Sequence, residues 1–520
     1  MNKRFYITTA IDYVNGQPHL GHAYEKIIAD VIARSRRSLG QEVFFLTGLD
    51  EHGQKVQQAA IAEGKTPQAY CDELAADWLS FARKLDLTND DFVRTTQLRH
   101  KVFVQAILSK LNDAGHFYKK TYSGFYSTKE ETFLTEKDRN ADGTFDPGYG
   151  EVVELKEENY YFKLGAHQQW LIDFIGANPG FVQPDYRRNE VLGFLKNNTL
   201  EDLCISRPAA RLNWGIPIPF DKNFVTYVWF DALVDYISIP AEHLDKTVLS
   251  AIPKDFPLTP PSSNLDLWPA DIHVIGKDIL KFHAVFWPIM LKAMELPLPK
   301  QILVHGFWQK DGAKISKSTG NVVDPVAVID EWGLDAFRFY VLRELDIGPD
   351  GNWTDAGFKS RYSAELANGL GNLVNRSLSM LKRYRDGIVP DRSDELAKKT
   401  NEEVREIIDA LKENYLQDAL EFIWKMITRA NQYVDQTAPF KLAKDPAQSQ
   451  RLDGVLYNLA ETCRVLAVLL WPFLPGTAVK IYAQLGLTEA PDKFSEAAWG
   501  KLNPGHKIGE PAPLFPRKEI

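Results

Sequence analysis

Residues 5–53 read FYITTAIDYVNGQPHLGHAYEKIIADVIARSRRSLGQEVFFLTGLDEHG, and their order decides the fold. FYITTAI (5–11) is rich in β-branched and aromatic residues and predicts a buried strand. DYVNGQP is composed of residues that turn a chain. From His19 onward the apolar positions Leu20, Tyr24, Ile27, Ile28 and Val31 recur at helical spacing, and Gly40 closes the run. QEVFFLTGLDEHG predicts a second strand that ends in a polar loop. Strand, helix, strand, repeated along the chain, implies an α/β fold: a parallel sheet wound with helices.

Working outward, the pattern breaks near residue 115. Segment 116–226 is richer in Tyr, Asn, Gly and charge, with short strand-like pieces (YSGFYST, GEVVELKE, NYYFKL). It reads as an insertion within the α/β domain. Winding resumes with VTYVWFDAL (225–233), taken as a strand, then the strand DIHVIG, the helix KDILKFHAVFWPIML and the strand QILVHGF. Beyond about 360 the periodicity is helical throughout, from RYSAELANGLGNLVNRSLSMLKRYR to VLYNLAETCRVLAVLLWPFL, which predicts an all-α bundle.

A chain of 520 residues is expected to form two or three domains. Charged residues make up 25%, and no apolar run is long enough to cross a bilayer, so no membrane association is expected. The N-terminus lacks the apolar core and cleavage site of a secretory signal. Cys71, Cys204 and Cys463 are scattered, which fits neither a disulfide framework nor a CxxC metal pair and points to a cytoplasmic protein. The net charge of −8 restricts any nucleic-acid contact to local basic patches.

Two stretches carry chemistry. In QPHLGHAY, His19 and His22 stand just past the first strand, at a helix start, where backbone N–H groups favour an anion. Residues three apart share one helical face, and Gly21 between them lets a flat base approach the backbone. A proline-led turn with histidines as helix caps explains the same residues equally well. In DGAKISKSTGN (311–321), Lys314 and Lys317 are flanked by Ser316, Ser318 and glycines, so that point charges on a glycine-hinged loop can swing onto a polyphosphate. A solvated basic surface loop is the plainer reading of that segment. Neither stretch decides alone; their order within one α/β frame does.

Together they resemble the two signatures of class I aminoacyl-tRNA synthetases, with Ile315 at the usual methionine of the lysine loop. The resemblance implies ATP as substrate, Mg²⁺ as counter-ion of its triphosphate, and attack of an amino-acid carboxylate on the α-phosphate. The chain to about residue 480 is similar to the methionyl-tRNA synthetases, through TTAIDYVNGQPHLGHAY, FLTGLDEHGQKV, YVWFDALVDYI and HVIGKDILKFHAVFWP. Carried over by position, the L-methionine pocket would be Ala10, Ile11, Tyr13, Trp229, Ala232, Tyr236, Ile279 and His283. Asp50 would take the ammonium, Arg207 would pair near it, and Gly276 and Asp278 would meet the adenosine. Aromatic edges suit a polarisable thioether, although Trp229 and its neighbours, taken alone, read more readily as a strand of aromatic core residues, and only agreement with the other stretches reverses this.

The resemblance further implies five regions: residues 1–115 and 227–325 as two halves of a Rossmann-type catalytic domain, 116–226 as the inserted connective-peptide domain, 326–360 as a stem-contact linker, and 361–520 as the anticodon-binding helical bundle. Many members carry zinc knuckles in the insertion. Here the corresponding places hold Ser127, Glu130, Asp146 and Tyr149, so no structural zinc and no other metal site is expected, and Phe125, Tyr126, Phe133 and Phe145 are expected to hold the knuckle by packing. Asn368, Asn372 and Arg376, spaced four apart, together with Phe440 where the family usually has Trp, would read the CAU anticodon of tRNA(Met), initiator included. The short tail GEPAPLFPRKEI leads to the expectation of a monomer. No second large insertion argues for an editing domain. A nucleotidyltransferase using HxGH and a silent tRNA-binding paralogue are the remaining alternatives.

Overall fold

The computed structural model describes residues 4–14, 16–127, 132–134, 138–140, 142–239, 267–314 and 322–518. Strand β1 (Arg4–Tyr13) runs two residues further than the sequence suggests, into the expected turn. Helix α1 (Leu20–Ser38) follows it, then β2 (Glu42–Asp50). Helix α2 (Gln54–Ala62) and α3 (Pro67–Lys84) lead to β3 (Asp91–Arg94) and α4 (Leu98–Asp113). Thr66 caps α3 ahead of Pro67, the residue whose missing N–H is harmless at a first helical position.

The insertion opens with β4 (Phe117–Ser127), beside which lie the short β5 (Thr132–Phe133) and the long β6 (Val152–Phe162). β4 and β6 pair antiparallel from Phe117↔Phe162 to Ser127↔Val152. Next come α5 (Gln168–Ala177), β7 (Val182–Gln183), α6 (Asp185–Asn197), β8 (Leu203–Cys204), and an antiparallel pair, β9 (Ser206–Pro208) with β10 (Phe224–Thr226). β7 leaves the insertion and becomes an edge strand of the central sheet.

VTYVWFDAL is not one strand. β10 stops at Thr226, and residues Val228–Ser238 form helix α7. Phe230, Leu233, Val234 and Ile237 are all buried, at i, i+3, i+4 and i+7. That helical period becomes visible only when the window extends past the aromatic run. Strand β11 (Ile272–Gly276) is followed by one continuous helical stretch that begins as a tight turn (Lys277–Ile279), widens to a π-turn (Phe282–Phe286) and ends as an α-helix (Trp287–Ala293). Strand β12 (Ile302–His305) follows. β13 (Trp308–Lys310), β14 (Ala313–Lys314) and β15 (Gly351–Trp353) make a small separate sheet.

The central sheet has the order β3-β2-β1-β11-β12-β7, and every pair in it is parallel. The chain steps outward from β1 to β2 and β3, then returns to the other side as β11 and β12. The reversal between β1 and β11 opens a crevice beyond their carboxyl ends, where doubly wound sheets take ligands. An extra residue in β1 between Thr8 and Ile11, relative to β2, bends the strand at that crevice.

The helical domain packs on the face of the sheet covered by α1. One core cluster runs unbroken from Ile7 and Ile28 through Phe337 to Leu466. A second, on the opposite face, joins Leu46 and Ile275 to the insertion and α7. Between α1 and the bundle, the fully buried Arg338 meets Asp30 at 2.8 Å and donates to the carbonyls of Leu85, Pro472 and Phe473. Among the described residues no helix is long and apolar enough to cross a membrane.

Candidate active site

A cavity of about 1000 Å³ fills the crevice. Its walls come from the carboxyl ends of β1, β2, β11 and β12, the start of α1, one face of α7 and the turn after β11. Ala10, Ile11, Tyr13, Asp50, Trp229, Ala232, Tyr236, Ile279 and His283 all line it, as do His19, Gly21, His22, Gly276 and Asp278. Every residue expected from these stretches therefore faces one hollow. Arg207 is not part of that lining. It is buried one layer back, with its guanidinium 4.4 Å from the ring of Tyr227, which does line the cavity.

The histidine corner is organised by the helix end itself. His19 is the residue before the first turn of α1. The Gly21 N–H donates to Nδ1 of His19 at 3.1 Å, and the His19 N–H donates to Nδ1 of His22 at 3.2 Å. This is a reciprocal capping box made from two imidazoles. The rings stack with centroids 3.6 Å apart, and Trp78 of α3 meets His22 edge-on. Caps and ligands were competing explanations of these histidines; here the same residues cap the helix and line the cavity. A Cβ added at Gly21 would press on the His19 ring at 3.1 Å, so this glycine makes room for the cap.

Beneath this corner lies a chain of buried charges that the motifs do not announce. Lys26 Nζ is 2.6 Å from Asp12 Oδ2 and 3.8 Å from Glu25 Oε1; Glu25 Oε2 is 3.1 Å from His305 Nε2; and Asp12 Oδ1 is 3.8 Å from His22 Nε2. Burial pushes the Asp12 carboxyl up to about 7, against the pull of Lys26. Asp12 and Glu25 line the cavity, as do His305, Phe307, Trp308 and Asp350. Sequence reasoning missed these. The one available signal was charge (Asp12, Glu25, Lys26) on a strand and helix otherwise reading as core.

The opposite end is apolar and aromatic. Trp229 stacks on Phe282 at 3.7 Å. Burial lowers the His283 imidazole to about 4, so the ring is neutral. Its Nδ1 faces the Ile279 carbonyl at 3.0 Å, and its Nε2 faces the Tyr236 hydroxyl at 2.8 Å. At the turn after β11 a Cβ on Gly276 would fall 2.6 Å from Asp278 Oδ1, so a side chain there would displace the Asp278 carboxylate. Of the lysine loop, Lys314 belongs by its backbone to β14, opposite Gln309 of the cavity lining. Ser316, Lys317 and Ser318 lie outside the described residues.

The family described as tRNA synthetases class I (M) matches residues 5–144 and 149–378, and the anticodon binding domain of methionyl tRNA ligase matches 385–519. The chain belongs to the methionyl family of class I tRNA synthetases. The methionine–tRNA ligase of Bacillus subtilis (strain 168) is 42% identical over 537 residues, covering all of this chain and 78% of its own length. That of Fusobacterium nucleatum is 41% identical, covering all of this chain and 81% of its own. The structure of Mycobacterium tuberculosis methionyl-tRNA synthetase in complex with methionyl-adenylate superposes with a TM-score of 0.89 at 37% identity, covering 99% of this chain and 100% of that one.

In this methionyl-family chain the described knuckle positions, Ser127, Asp146 and Tyr149, hold neither Cys nor His. Ser127 Oγ donates to the Tyr149 carbonyl at 2.6 Å, and the Asp146 carboxylate accepts from the Gly148 N–H at 2.6 Å. Glu130 lies outside the described residues. Hydroxyls and a carboxylate already committed to turns do not fit a tetrahedral zinc site. Among the described residues no group of three His, Cys, Asp or Glu converges. The knuckle is tied by Phe125 against Phe145 at 5.1 Å, with the Arg139 guanidinium 4.6 Å from Phe125. The buried Tyr126 ring faces Arg211 at 4.9 Å. Phe133 pairs through its backbone with Tyr126.

In the methionyl anticodon-binding bundle, Asn368 sits in a wide π-turn (Tyr362–Gly371), and Asn372 opens the α-helix that continues it (Asn372–Arg385). Four residues overshoot an α-turn of 3.6 but fall short of a wider π-turn, so the two offsets oppose and Asn368 and Arg376 return to one line. Arg376 reaches Asp435 at 3.1 Å, just before the short helix Pro439–Leu442 that carries the exposed Phe440.

Proposed function

We propose that this chain activates L-methionine with ATP and transfers it to tRNA(Met). The methionine carboxylate oxygen attacks the α-phosphorus. A C–O–P link forms, the bond to the β-phosphate breaks, and pyrophosphate leaves. The tRNA terminal ribose hydroxyl then displaces AMP from the aminoacyl carbonyl. The observation that carries this reading is one cavity with a histidine-capped helix start at one end and a closed aromatic pocket at the other. The methionyl-adenylate held by the Mycobacterium tuberculosis relative supports it.

In this reading His19 and His22, with Lys314, Ser316, Lys317 and Ser318 from the loop, hold the phosphates, which Mg²⁺ accompanies. Charge accumulating on phosphate oxygens is met by groups already in place. Gly276 and Asp278 receive the adenosine. Asp50 takes the ammonium, and Arg207 acts through Tyr227. Ala10, Ile11, Tyr13, Trp229, Ala232, Tyr236, Ile279 and His283 enclose the side chain. Asn368, Asn372, Arg376 and Phe440 read CAU. Three unpaired cysteines support a cytoplasmic site of action.

Methionine-dependent ATP–pyrophosphate exchange across a panel of all amino acids tests the assignment. Exchange with methionine alone is expected, and a different preferred amino acid would overturn it. Lys317→Ala should slow that exchange by on the order of 10²-fold or more, the size of one lost transition-state donor. Unchanged exchange in that variant would remove the loop from the site.

A further inference from the structure

We propose that Lys26, buried beneath the cavity, is a positioning residue that neutralises Asp12 and so keeps His22 and its stacked partner His19 uncharged, both meeting the triphosphate as Nε2–H donors within an intact helix cap. This rests on the reading that residues 19–22 hold phosphate.

Three observations favour the neutral form of both rings. In each, Nδ1 faces a backbone N–H, a donor that accepts nothing. The proton of the neutral ring is therefore on Nε2, and an imidazolium would lose its capping bond. The rings stack at 3.6 Å, a separation at which two cations repel. They also stand at the positive end of a helix of nineteen residues, which disfavours added positive charge. His305 shows the contrast: its Nδ1 faces the Gly306 carbonyl and its Nε2 faces Glu25, acceptors on both sides.

The charged groups around the corner come from four elements. Asp12 stands on β1, Glu25 and Lys26 on α1, His305 on β12, and Asp77 on α3, where it accepts from Gln17 at 2.8 Å. Of these, Asp12 Oδ1, 3.8 Å from His22 Nε2, is the group that would draw a proton onto His22. Its other oxygen is 2.6 Å from the Lys26 ammonium, which is 2% exposed and so barely screened. With Lys26 in place, Asp12 is already balanced. Burial opposes a bare carboxylate at Asp12, so without Lys26 the Asp12–His22 pair binds an extra proton. That proton goes to His22, which opens the box, and a Lys26→Met variant whose His22 stays neutral would overturn the proposal.

The test is ¹⁵N-histidine NMR of the free protein together with the pH profile of ATP–pyrophosphate exchange. In the wild type at pH near 7.5, His19 and His22 should show the neutral Nε2–H pattern. Exchange should fall as pH drops through the imidazole range and hold as pH rises. Lys26→Met should shift His22 toward the doubly protonated form, lower exchange by on the order of 10²-fold, and regain activity at higher pH. Lys26→Arg should behave as wild type, and Lys26→Met combined with Asp12→Asn should recover both signature and profile. A wild-type His22 doubly protonated at that pH, or exchange that rises on acidification, would overturn the proposal. So would a Lys26→Met loss that Asp12→Asn does not relieve. Should Lys26→Met fail to fold, the wild-type spectrum and profile decide alone. Absence of methionine-dependent exchange in the wild type at every pH would instead strike the function, leaving the tautomers to be read on their own.

Discussion

The Tyr236 hydroxyl lies 2.8 Å from Nε2 of a His283 ring whose Nδ1 faces the carbonyl of Ile279 at 3.0 Å. A carbonyl only accepts, so Nδ1 carries the proton and Nε2 accepts from Tyr236. The tyrosine proton is thereby committed, and on the proposed function the pocket would turn oxygen lone pairs and ring edges toward a bound thioether. Tyr236→Phe leaves a buried acceptor unpaired, at a cost of about 1–3 kcal/mol. KM for methionine in the exchange assay should rise about tenfold or more, with KM for ATP unchanged. Because burial holds His283 near 4, its neutral form persists far below neutrality, and methionine KM should be flat between about pH 5.5 and 8. A step in KM within that range that persists in Asp12→Asn would show that His283 titrates there.

Asp50 ends β2 with its side chain 6% exposed at the cavity wall. A carboxylate at so dry a position is suited to an ammonium and poorly suited to a neutral group. Asp50→Asn should raise methionine KM by on the order of 10²-fold, the loss of one charge-assisted contact. An inhibitor identical to methionine but without the amino group should bind both forms alike. If the analogue weakens in parallel with methionine, Asp50 shapes the pocket and does not bind the amine.

Much of this was legible in residues 5–53. Periodicity sets β1, α1 and β2, and the parallel order follows from them, as does the position of His19 and His22 past a strand end. What was not legible depends on contacts distant in sequence. Asp12 reads as a loop residue until β1 is seen to run through Tyr13. Lys26 reads as a lone charge on a helix of core residues until β1 is seen to bring Asp12 within 2.6 Å of its ammonium. VTYVWFDAL reads as a strand because its first six residues carry no charged position to reveal a helical period. His305 and Trp308 carry no local signal; the end of β12 and the start of β13 bring them to the cavity from nearly three hundred residues away.

Asp30 and Arg338 join the catalytic domain to the bundle at a place with no access to water. Burial pushes the Asp30 carboxyl up, but Arg338 and Arg34, with hydrogen bonds from Thr88, outweigh it and hold it below the usual range. An acid whose folded value is depressed contributes stability above its unfolded value, and that contribution disappears as pH falls through the folded value. Arg338→Met should therefore destabilise strongly, by about 3–5 kcal/mol, because it leaves the buried Asp30 with Arg34 as its one remaining guanidinium and strips three buried carbonyls of their donor. The double change with Asp30→Leu should recover much of the loss. Chemical denaturation at neutral pH measures both, and equal losses in the single and double variants would mean that the arginine acts through its carbonyl bonds alone.

Arg376 and Asp435 form a pair whose side chains are 35% and 68% exposed. Such a pair contributes about 0–1 kcal/mol, so the guanidinium is readily surrendered to a competing base or phosphate. On one side the line of Asn368 and Asn372 continues from it; on the other, Phe440 stands 46% exposed at a proline-led helix start. Unstacked RNA bases are recognised by amide edges beside an aromatic face. Asn372→Ala or Arg376→Ala should lower tRNA charging by about tenfold or more while leaving ATP–pyrophosphate exchange intact, since neither residue reaches the cavity. Phe440→Ala should cost about 1–3 kcal/mol of tRNA affinity, one stacked base, and Phe440→Trp should tighten binding through its larger face. The Arg376 loss should shrink at high salt, as a phosphate contact does, whereas the Asn372 loss should persist. Parallel losses of charging and exchange in these variants would place their effect on the fold of the bundle and not on the anticodon.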